Sequence, residues 1–301
     1  MASNSTPRTV RSDRLQLPQS RRVRVLILGD RAKSDVPELA DRLVSFLEDN
    51  PRAAARAKVL GVDLKRSAEP IRQKPDLVVV LGGDGAMLAA SRRLGKRRVP
   101  VMGINFGTVG FLAAVSRERA ANVLEQTLAG KAWVEDRAMM HATVKRDGQV
   151  LIDAHILNEV VVARAPGHNL IDCGLLVDRR PVCTYRGDGV IISTPTGSTA
   201  YNLAAHGPIL SPRLDAWVVT PIAPHMLGMR PLVLPGHRTA HMRVHQRAMF
   251  TADGHEECSL RPGDVVRVAP SSRRFQLIVD REQLFYARLR SKLHWGAPPV
   301  S

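Results

Sequence analysis

Apolar residues in the first half of the chain repeat with two different spacings. Short apolar runs that end at glycine or polar residues predict four strands, at 23–29, 58–63, 77–81 and 99–105. Apolar residues three or four positions apart predict helices between them, at 36–47, 86–94 and 116–130. Because strands that alternate with helices form parallel sheets, we expect an α/β domain that binds ligands at the carboxyl edge of its sheet.

These helices carry local start and stop signals. Asp35 and Glu38 have the spacing of a capping box at the first helix. Gly95 follows the second helix and is expected to end it. The third helix, which begins at Ser116, is also predicted to be capped.

The pattern changes near Arg137, where strands begin to follow one another without helices between them. Asp147 and Gly148 predict a hairpin turn. The predicted strands lie at 141–145, 149–156, 158–163, 174–177, 189–193, 216–220, 241–245 and 265–268. This half is therefore expected to form stacked antiparallel sheets.

The two ends of the chain carry different signals. Residues 1–22 are rich in Ser, Arg, Pro and Thr and predict a disordered basic tail, in which two prolines would interrupt a transit-peptide helix. Residues 275–280 predict a last strand, and 282–293 predict an amphipathic helix that returns to the α/β domain. We divide the chain into 1–22, 23–136, 137–272 and 273–301.

Length and composition are typical of two modest soluble domains. The chain has 301 residues, 44% hydrophobic and 24% charged, and no apolar run is long enough to span a bilayer. Cys173, Cys183 and Cys258 lack the close pairing of a metal or redox motif. We expect idle thiols in a reducing cytoplasm, with no membrane association and no metal site built from protein ligands alone.

The net charge raises nucleic-acid binding as an alternative. The 44 Lys and Arg against 28 Asp and Glu give +16, and basic residues cluster in the N-terminal tail and at 92–98. However, aromatic residues make up only 4% of the chain, and no groove-reading or base-stacking motif is present. An attraction for anionic substrates is the favoured interpretation.

The glycine-rich turn at 82–85 has the features of a phosphate site. A buried strand runs into Gly82-Gly83-Asp84-Gly85, and a helix follows. Such a junction leaves backbone N–H groups free to bind phosphate, and glycines let the main chain come close. Asp84 is the only functional side chain in the turn, so we expect it to accept a proton or hold a divalent cation. The alternative is a tight turn in which Asp and Gly are simply the preferred residues.

The four residues of this turn resemble the signature shared by NAD kinases, diacylglycerol-type lipid kinases and phosphofructokinases. The chain has no G-x-x-x-x-G-K-[ST] loop, and no G-x-G-x-x-G occurs at a strand-helix junction. The missing dinucleotide fingerprint disfavours a dehydrogenase.

Two stretches of the second half are too polar to be plain strand ends. Asn158 and Glu159 precede an apolar strand and can bond ribose hydroxyls or an adenine amino group, or can simply begin the strand. The run 194–199 is rich in small hydroxyl residues, and Ser198 or Thr199 could cap a short helix.

Taken together, the motifs resemble the ordered set of NAD kinases from about residue 23 to the last helix. They are Gly82-Gly83-Asp84-Gly85, the second glycine-rich turn at 105–112, Asn158-Glu159, Gly187-Asp188-Gly189, and Thr194-Pro195-Thr196-Gly197-Ser198-Thr199-Ala200-Tyr201. The last string is specific, since the lipid kinases and phosphofructokinases do not carry it in this place.

The resemblance implies an N-terminal Rossmann-like α/β domain, a C-terminal β-sandwich that binds NAD, and transfer of the ATP γ-phosphoryl group to the 2′-hydroxyl of the NAD adenosine ribose. It also implies a homodimer or homotetramer. Because in-line phosphoryl transfer needs positive charge on the transferring group, we expect Mg²⁺ carried on ATP. By position, Asp84 corresponds to the proton acceptor. The implied nucleotide contacts are Gly85, Asn158, Glu159, Arg186, Asp188, Thr199, Ala200, Tyr201, Asn202, Leu203, Ala204 and His255. His255 stands where the family often has glutamine.

Two other functions stay open from sequence. One is a lipid or sugar kinase that uses the same glycine-Asp turn. The other is a non-enzymatic basic nucleotide- or RNA-binding protein, whose affinity would fall steeply with salt.

Overall fold

The computed structural model describes residues 12–107, 110–280 and 285–293. These residues form two compact units. The α/β unit comprises 12–136 and 275–293, and the β unit comprises 137–274. The sequence placed the corresponding boundaries at 136/137 and 272/273.

The α/β unit is built on parallel strands joined by helices. Its elements are β1 (Ser12–Arg14), β2 (Val23–Gly29), α1 (Asp35–Asp49), α2 (Pro51–Arg56), β3 (Ala57–Asp63), β4 (Leu77–Leu81), α3 (Asp84–Leu94), β5 (Val101–Asn105), β6 (Val115–Ser116), α4 (Ala120–Leu128) and α6 (Phe285–Leu293). β3, β2, β4 and β5 lie side by side in that order, all parallel. The predicted Rossmann-like sheet is confirmed.

The core of this unit follows from the apolar runs. Every residue of β4 is buried, and α1 buries one face that includes Leu39, Leu43 and Leu47. Because parallel strands are covered on both faces, they need continuous apolar runs rather than alternation. This explains why β2 and β4 have the predicted limits.

Two predicted helix caps are wrong. α1 begins after Ser34 with no side-chain cap bond, and Asp35 instead pairs with Arg117 at 2.8 Å. α4 starts at Ala120, not at Ser116, because Ser116 belongs to a short strand beside β5. In both cases a tertiary partner replaces the local cap.

The prediction of disorder over 1–22 is wrong for the described part. Ser12–Arg14 pairs with Trp133–Glu135, and the side chains of Leu15 and Leu17 are buried in the α/β core. Burial of these two leucines compensates for the polar composition around them. Residues 1–11 lie outside the described residues.

The β unit contains antiparallel strands around one apolar core. Its elements are β7 (Trp133–Arg146, from Arg137 onward), β8 (Gln149–Ile156), β9 (Glu159–Arg164), β10 (Ile171–Val177), β11 (Arg180–Gly187), β12 (Gly189–Ser193), a 3-10 turn (Gly197–Thr199), α5 (Tyr201–Ala204), β13 (Ala216–Ile222), β14 (Leu232–Pro235), β15 (Ala240–Val244), β16 (Ala248–Ala252), β17 (Glu256–Leu260) and β18 (Val265–Val279, up to Arg274). One sheet has the order β14-β13-β12-β9-β16-β17. The other strands pair as β11-β10-β15-β18 and β7-β8.

Side chains from both sets of strands share the core, as a β-sandwich requires. Phe250 and Trp217 come from the six-stranded sheet, whereas Met242 and Cys173 come from the opposite strands. Burial raises the pKa of Cys173 to about 12, so its thiol is unreactive at neutral pH.

The last strand differs from its prediction. The sequence separated 265–268 from 275–280, but β18 is one strand over Val265–Val279. The polar residues between the two apolar segments keep an extended backbone because a strand can expose one face. Part of the predicted helix at 282–293 is observed as α6, and residues 281–284 lie outside the described residues. None of the described helices combines the length and apolar character needed to cross a membrane.

Candidate active site

The glycine turn at 82–85 adopts the predicted strand-turn-helix geometry. β4 ends at Leu81, and α3 begins at Asp84 with Gly83 as its N-cap. Gly82 has φ +154°, and a side chain there would meet Ala86 at 2.7 Å. Open space surrounds the Cβ positions of Gly83 and Gly85, so the backbone at the start of α3 is accessible to an anion.

The Asp84 carboxylate joins this turn to the second glycine-rich turn. Oδ2 accepts the backbone N–H of Phe111 at 2.9 Å, and Oδ1 accepts those of Leu112 at 3.0 Å and Ala113 at 2.9 Å. Oδ2 takes only one of these N–H groups and keeps a lone pair for a further donor. We call Asp84 with Phe111, Leu112 and Ala113 the Asp84 clasp.

Gly110 is the residue that permits this approach. A Cβ built at Gly110 would overlap Oδ1 of Asp84. Gly107 in the same turn has open space around its Cβ position. The motif at 105–112 therefore combines one sterically required glycine, Gly110, with one that is not, Gly107. Residues 108 and 109 lie outside the described residues.

Several arginines near the end of α3 are engaged in ion pairs or hydrogen bonds. Arg93 pairs with Asp63 at 2.5 Å, Arg98 pairs with Asp136, and Arg97 bonds the carbonyl of Gln73. Three of the basic side chains at 92–98 are thus engaged in contacts within the α/β unit.

In the β unit, Asp253 holds the predicted Asn158-Glu159 pair. Oδ2 of Asp253 accepts the N–H of Leu157 at 2.8 Å, and Oδ1 accepts those of Asn158 at 2.7 Å and Glu159 at 3.3 Å. Asp253 is 5% exposed and has φ +47° in the turn between β16 and β17. We call Asp253 with Leu157, Asn158 and Glu159 the Asp253 clasp.

The two predicted polar residues in this clasp are buried and incompletely bonded. Oδ1 of Asn158 and Oε2 of Glu159 find no hydrogen-bond partner within residues 12–107, 110–280 and 285–293. A buried unpaired polar atom costs about 1–3 kcal/mol, so these two atoms are candidates for bonding a polar ligand.

The environment of Glu159 also changes its ionisation. Burial and, to a smaller extent, the charge of Asp253 raise the pKa of Glu159 to about 8, while a hydrogen bond from the backbone N–H of Tyr201 opposes the shift. Around neutral pH the carboxyl can therefore donate as well as accept a hydrogen bond. Arg273 lies close enough for Asp253 to affect it, although burial dominates and lowers the pKa of Arg273 to about 10.

The hydroxyl-rich loop after β12 is held by its own side chains. The Thr194 hydroxyl donates to the carbonyl of Leu157 at 2.6 Å and accepts the N–H of Gly197 at 3.0 Å. A Cβ at Gly197 would overlap the carbonyl of Asn158. This loop is therefore packed directly against the Asp253 clasp.

The predicted helix cap at Ser198 or Thr199 is wrong. α5 begins after Ala200, and no side chain caps it. The Ser198 hydroxyl instead donates to the carbonyl of Pro195 and accepts the N–H of Leu210 at 2.9 Å. Thr199 donates to the carbonyl of Thr196.

The predicted contacts in 199–204 differ in accessibility. Asn202 is fully buried, and its amide bonds the carbonyls of Ser198 and Pro208 and the hydroxyl of Thr220. Tyr201 is 45% exposed. The remaining residues are half-buried or exposed: Thr199, Ala200, Leu203 and Ala204.

The other predicted contacts lie in β11 (Arg186), between β11 and β12 (Asp188), and in the turn between β16 and β17 (His255). Arg186 is exposed and stands 3.9 Å from Asp172, whereas Asp188 pairs with Arg164 at 2.7 Å. His255 is exposed after the Asp253-Gly254 turn.

Sequence reasoning missed the roles of Asp253 and Thr194 in this site. Asp253 precedes a glycine in a turn, and its bonds reach residues 94 to 96 positions earlier. An Asp-Gly turn has no local feature that identifies such distant partners. Thr194 carried a clearer signal, because a hydroxyl before Pro195 can bond nearby backbone groups.

Comparison with known proteins places these features in a family. The family model of the ATP-NAD kinase N-terminal domain matches residues 25–132, and that of the ATP-NAD kinase C-terminal domain matches residues 157–279. The chain is 38% identical to the NAD kinase of Geobacter metallireducens over 264 residues, 86% of this chain and 93% of the relative. It is 42% identical to the NAD kinase of Syntrophotalea carbinolica over 226 residues, which cover 73% of this chain and 79% of the relative.

Solved structures agree with this relationship. The NAD kinase from Archaeoglobus fulgidus, in complex with ATP, has a TM-score of 0.75 and 26% identity, covering 89% of this chain and 99% of the other. Yeast NADH kinase complexed with NADH has a TM-score of 0.81 at 21% identity, and the match covers 93% of this chain and 89% of the other. At this identity the match supports the fold of this chain. The two family models match the N-terminal and C-terminal domains of kinases that use ATP and NAD. The chain belongs to the ATP-NAD kinase family.

Proposed function

We propose that this protein is an NAD kinase that transfers the γ-phosphoryl group of ATP to the 2′-hydroxyl of the NAD adenosine ribose and produces NADP. The observation that carries the proposal is the pair of buried, unpartnered atoms on Asn158 and Glu159, within the segment that matches the C-terminal family domain. Hydroxyl or amino groups of a nucleotide would satisfy both atoms.

Asp84 is the group that we propose acts on the hydroxyl. A secondary hydroxyl is a weak nucleophile at neutral pH, so a carboxylate that accepts its proton lowers the barrier as charge develops. The free lone pair on Oδ2 of Asp84 provides this acceptor, and the three N–H groups of the clasp hold the carboxylate in place. The backbone N–H groups at the start of α3 are proposed to bind phosphate oxygens.

We assign a divalent cation, Mg²⁺, to the phosphates of ATP as part of the substrate. No cluster of three or more His, Cys, Asp or Glu side chains in the described part of the chain suits a metal ion. On ATP, the ion supplies positive charge to the transferring group.

The other nucleotide contacts are proposed by position in the family motifs. They are Gly85, Arg186, Asp188, Thr199, Ala200, Tyr201, Leu203, Ala204 and His255. Asn202 is proposed to act by holding the loop, because its amide is already bonded within the β unit. A cytoplasmic location and assembly into a homodimer or homotetramer are further parts of the proposal, and light scattering of the purified protein tests the assembly.

The test is NADP formation from NAD, ATP and Mg²⁺ by the purified protein, detected with a dehydrogenase that ignores NAD. Asp84→Asn is assayed beside the wild type, and Asp147→Asn is the matched control. Asp147 also precedes a glycine in a turn, but it is exposed in a β-hairpin. We expect turnover in the wild type and the control, and a loss of several orders of magnitude in Asp84→Asn.

Two outcomes would count against the proposal. If the wild type forms no NADP, the 2′-kinase function is rejected, and diacylglycerol and sugar acceptors are assayed next. If Asp84→Asn is as active as the wild type, the kinase function stands but Asp84 is not the proton acceptor.

A further inference from the structure

The last helix of the α/β unit surrounds one residue of the second glycine-rich turn. Nη1 of Arg288, on α6, donates to the backbone carbonyl of Phe111 at 2.8 Å. The Phe111 ring lies 6.2 Å from that of Phe285, and Nζ of Lys292 lies 5.7 Å from its centroid. Three successive turns of α6 thus contact a single residue 177 positions away from Arg288.

That residue is also part of the Asp84 clasp. Arg288 bonds the carbonyl of Phe111, and the N–H of Phe111 donates to Oδ2 of Asp84. Oδ2 is the oxygen that keeps a free lone pair. The two bonds engage the carbonyl and the N–H of the same residue, so a shift of Arg288 would be transmitted to the carboxylate.

The burial of Arg288 argues against a role in stability alone. Its side chain is 1% exposed. Desolvating a guanidinium is costly, and a well-packed apolar side chain of similar size often stabilises a protein as much or more. A buried guanidinium that bonds a backbone carbonyl can also fix that backbone in one position.

We propose that Arg288 is a positioning residue, which orients the Asp84 carboxylate by fixing the Phe111 backbone. The inference rests on the proposed function for its effect on turnover, but its structural part can be measured without any activity. Arg288 touches neither substrate in this scheme and acts only through the clasp.

The first test is structural and uses hydrogen exchange of the full-length protein. In Arg288→Met, the amides of Phe111, Leu112 and Ala113 are expected to exchange at least about 10-fold faster than in the wild type, because the bonds to Asp84 are no longer held. The control is Arg290→Met, which removes the same charge from the exposed face of the same helix. Unchanged exchange at all three amides in Arg288→Met would overturn the proposal.

The second test uses steady-state kinetics to ask whether Arg288 affects turnover through Asp84. Arg288→Met is expected to lower kcat for NADP formation about 10- to 100-fold, with KM for NAD changed less than about 3-fold. Arg290→Met should match the wild type. In the double variant Asp84→Asn/Arg288→Met, the second substitution should cause little further loss, because its effect requires the carboxylate. Fully multiplicative losses would overturn the proposal.

Arg288→Lys covers the possibility that Arg288→Met does not fold. Lysine keeps the charge but lacks the planar donor set, so we expect a 3- to 10-fold loss of kcat with a wild-type circular dichroism spectrum. Wild-type kcat in a folded Arg288→Lys, with unchanged exchange at 111–113, would reject the role of Arg288. If the wild-type protein makes no NADP, the proposed function fails, whereas the exchange experiment still decides whether Arg288 fixes the clasp.

Discussion

The Asp84 clasp of the α/β unit and the Asp253 clasp of the β unit use the same bonding pattern. In each, an aspartate that precedes a glycine accepts three consecutive backbone N–H groups, one on Oδ2 and two on Oδ1. They differ in surroundings. Asp84 is half-buried at the start of a helix, whereas Asp253 is 5% exposed in a left-handed turn and lies beside a second carboxyl group, Glu159.

This difference indicates a division of tasks. Asp84 combines its three bonds with access from outside, as a proton acceptor requires. Asp253 has little access from outside, so it can shape the backbone of Asn158 and Glu159 and influence the protonation of Glu159. We therefore propose that the same bonding pattern supports chemistry at Asp84 and ligand recognition at Asn158 and Glu159.

The sharpest test of this contrast is the effect of Asp84→Asn on activity. We expect kcat to fall by about 10²–10⁴, or roughly 3–5 kcal/mol of transition-state stabilisation, because the proton acceptor is lost. The free energy of unfolding should fall by less than about 2 kcal/mol, since the site is partly solvated. Steady-state kinetics and urea unfolding measure the two quantities, and a larger loss of stability than of activity would reverse the assignment.

Asp253→Asn should show the opposite balance. Loss of a buried charged acceptor for three N–H groups is expected to lower the free energy of unfolding by about 2–4 kcal/mol. Asp147→Asn is the matched control, because Asp147 has φ +48° before a glycine and is exposed. Urea unfolding of both variants is the measurement. Equal, small losses would mean that Asp253 is no more than a turn residue.

The protonation of Glu159 predicts how stability depends on pH. Its pKa is about 8 in the folded protein against a usual value of 4.5, so the folded state binds the extra proton between these values. Its contribution to stability is complete below about pH 4.5 and is lost as the pH rises to about 8. Relative to Glu159→Gln, the wild type should lose about 2–3 kcal/mol between pH 6 and pH 9. Urea unfolding of the two proteins at each pH is the measurement. A difference in their free energies of unfolding that stays constant from pH 6 to pH 9 would contradict the prediction.

The smallest effect tests the close approach of the two glycine-rich turns. In Gly110→Ala the new methyl group would overlap Oδ1 of Asp84 and displace the clasp, so we expect kcat to fall about 10- to 30-fold. Gly107→Ala introduces a methyl group into open space in the same turn and should change kcat less than 2-fold. Similar kcat values for the two variants would show that the backbone tolerates a displaced Asp84.

Elements with strong local patterns were predictable from sequence. β4, β8 and β12 have the predicted limits, because each apolar or alternating run ends at a turn residue. Helix starts were less predictable. The local partners expected for Asp35 and Ser116 were replaced by Arg117 and by a strand beside β5.

The sequence by itself determined the two fold classes, the glycine-Asp turn and the order of the family motifs, because these depend on residues close together in the chain. Only the tertiary structure decided which backbone groups Asp84 and Asp253 bind and which helix holds Phe111. The bonds involved join residues 27 to 29, 94 to 96 and 177 positions apart. Hydrogen-bond partners at such separations are set by how the strands and helices pack, and no local periodicity encodes them.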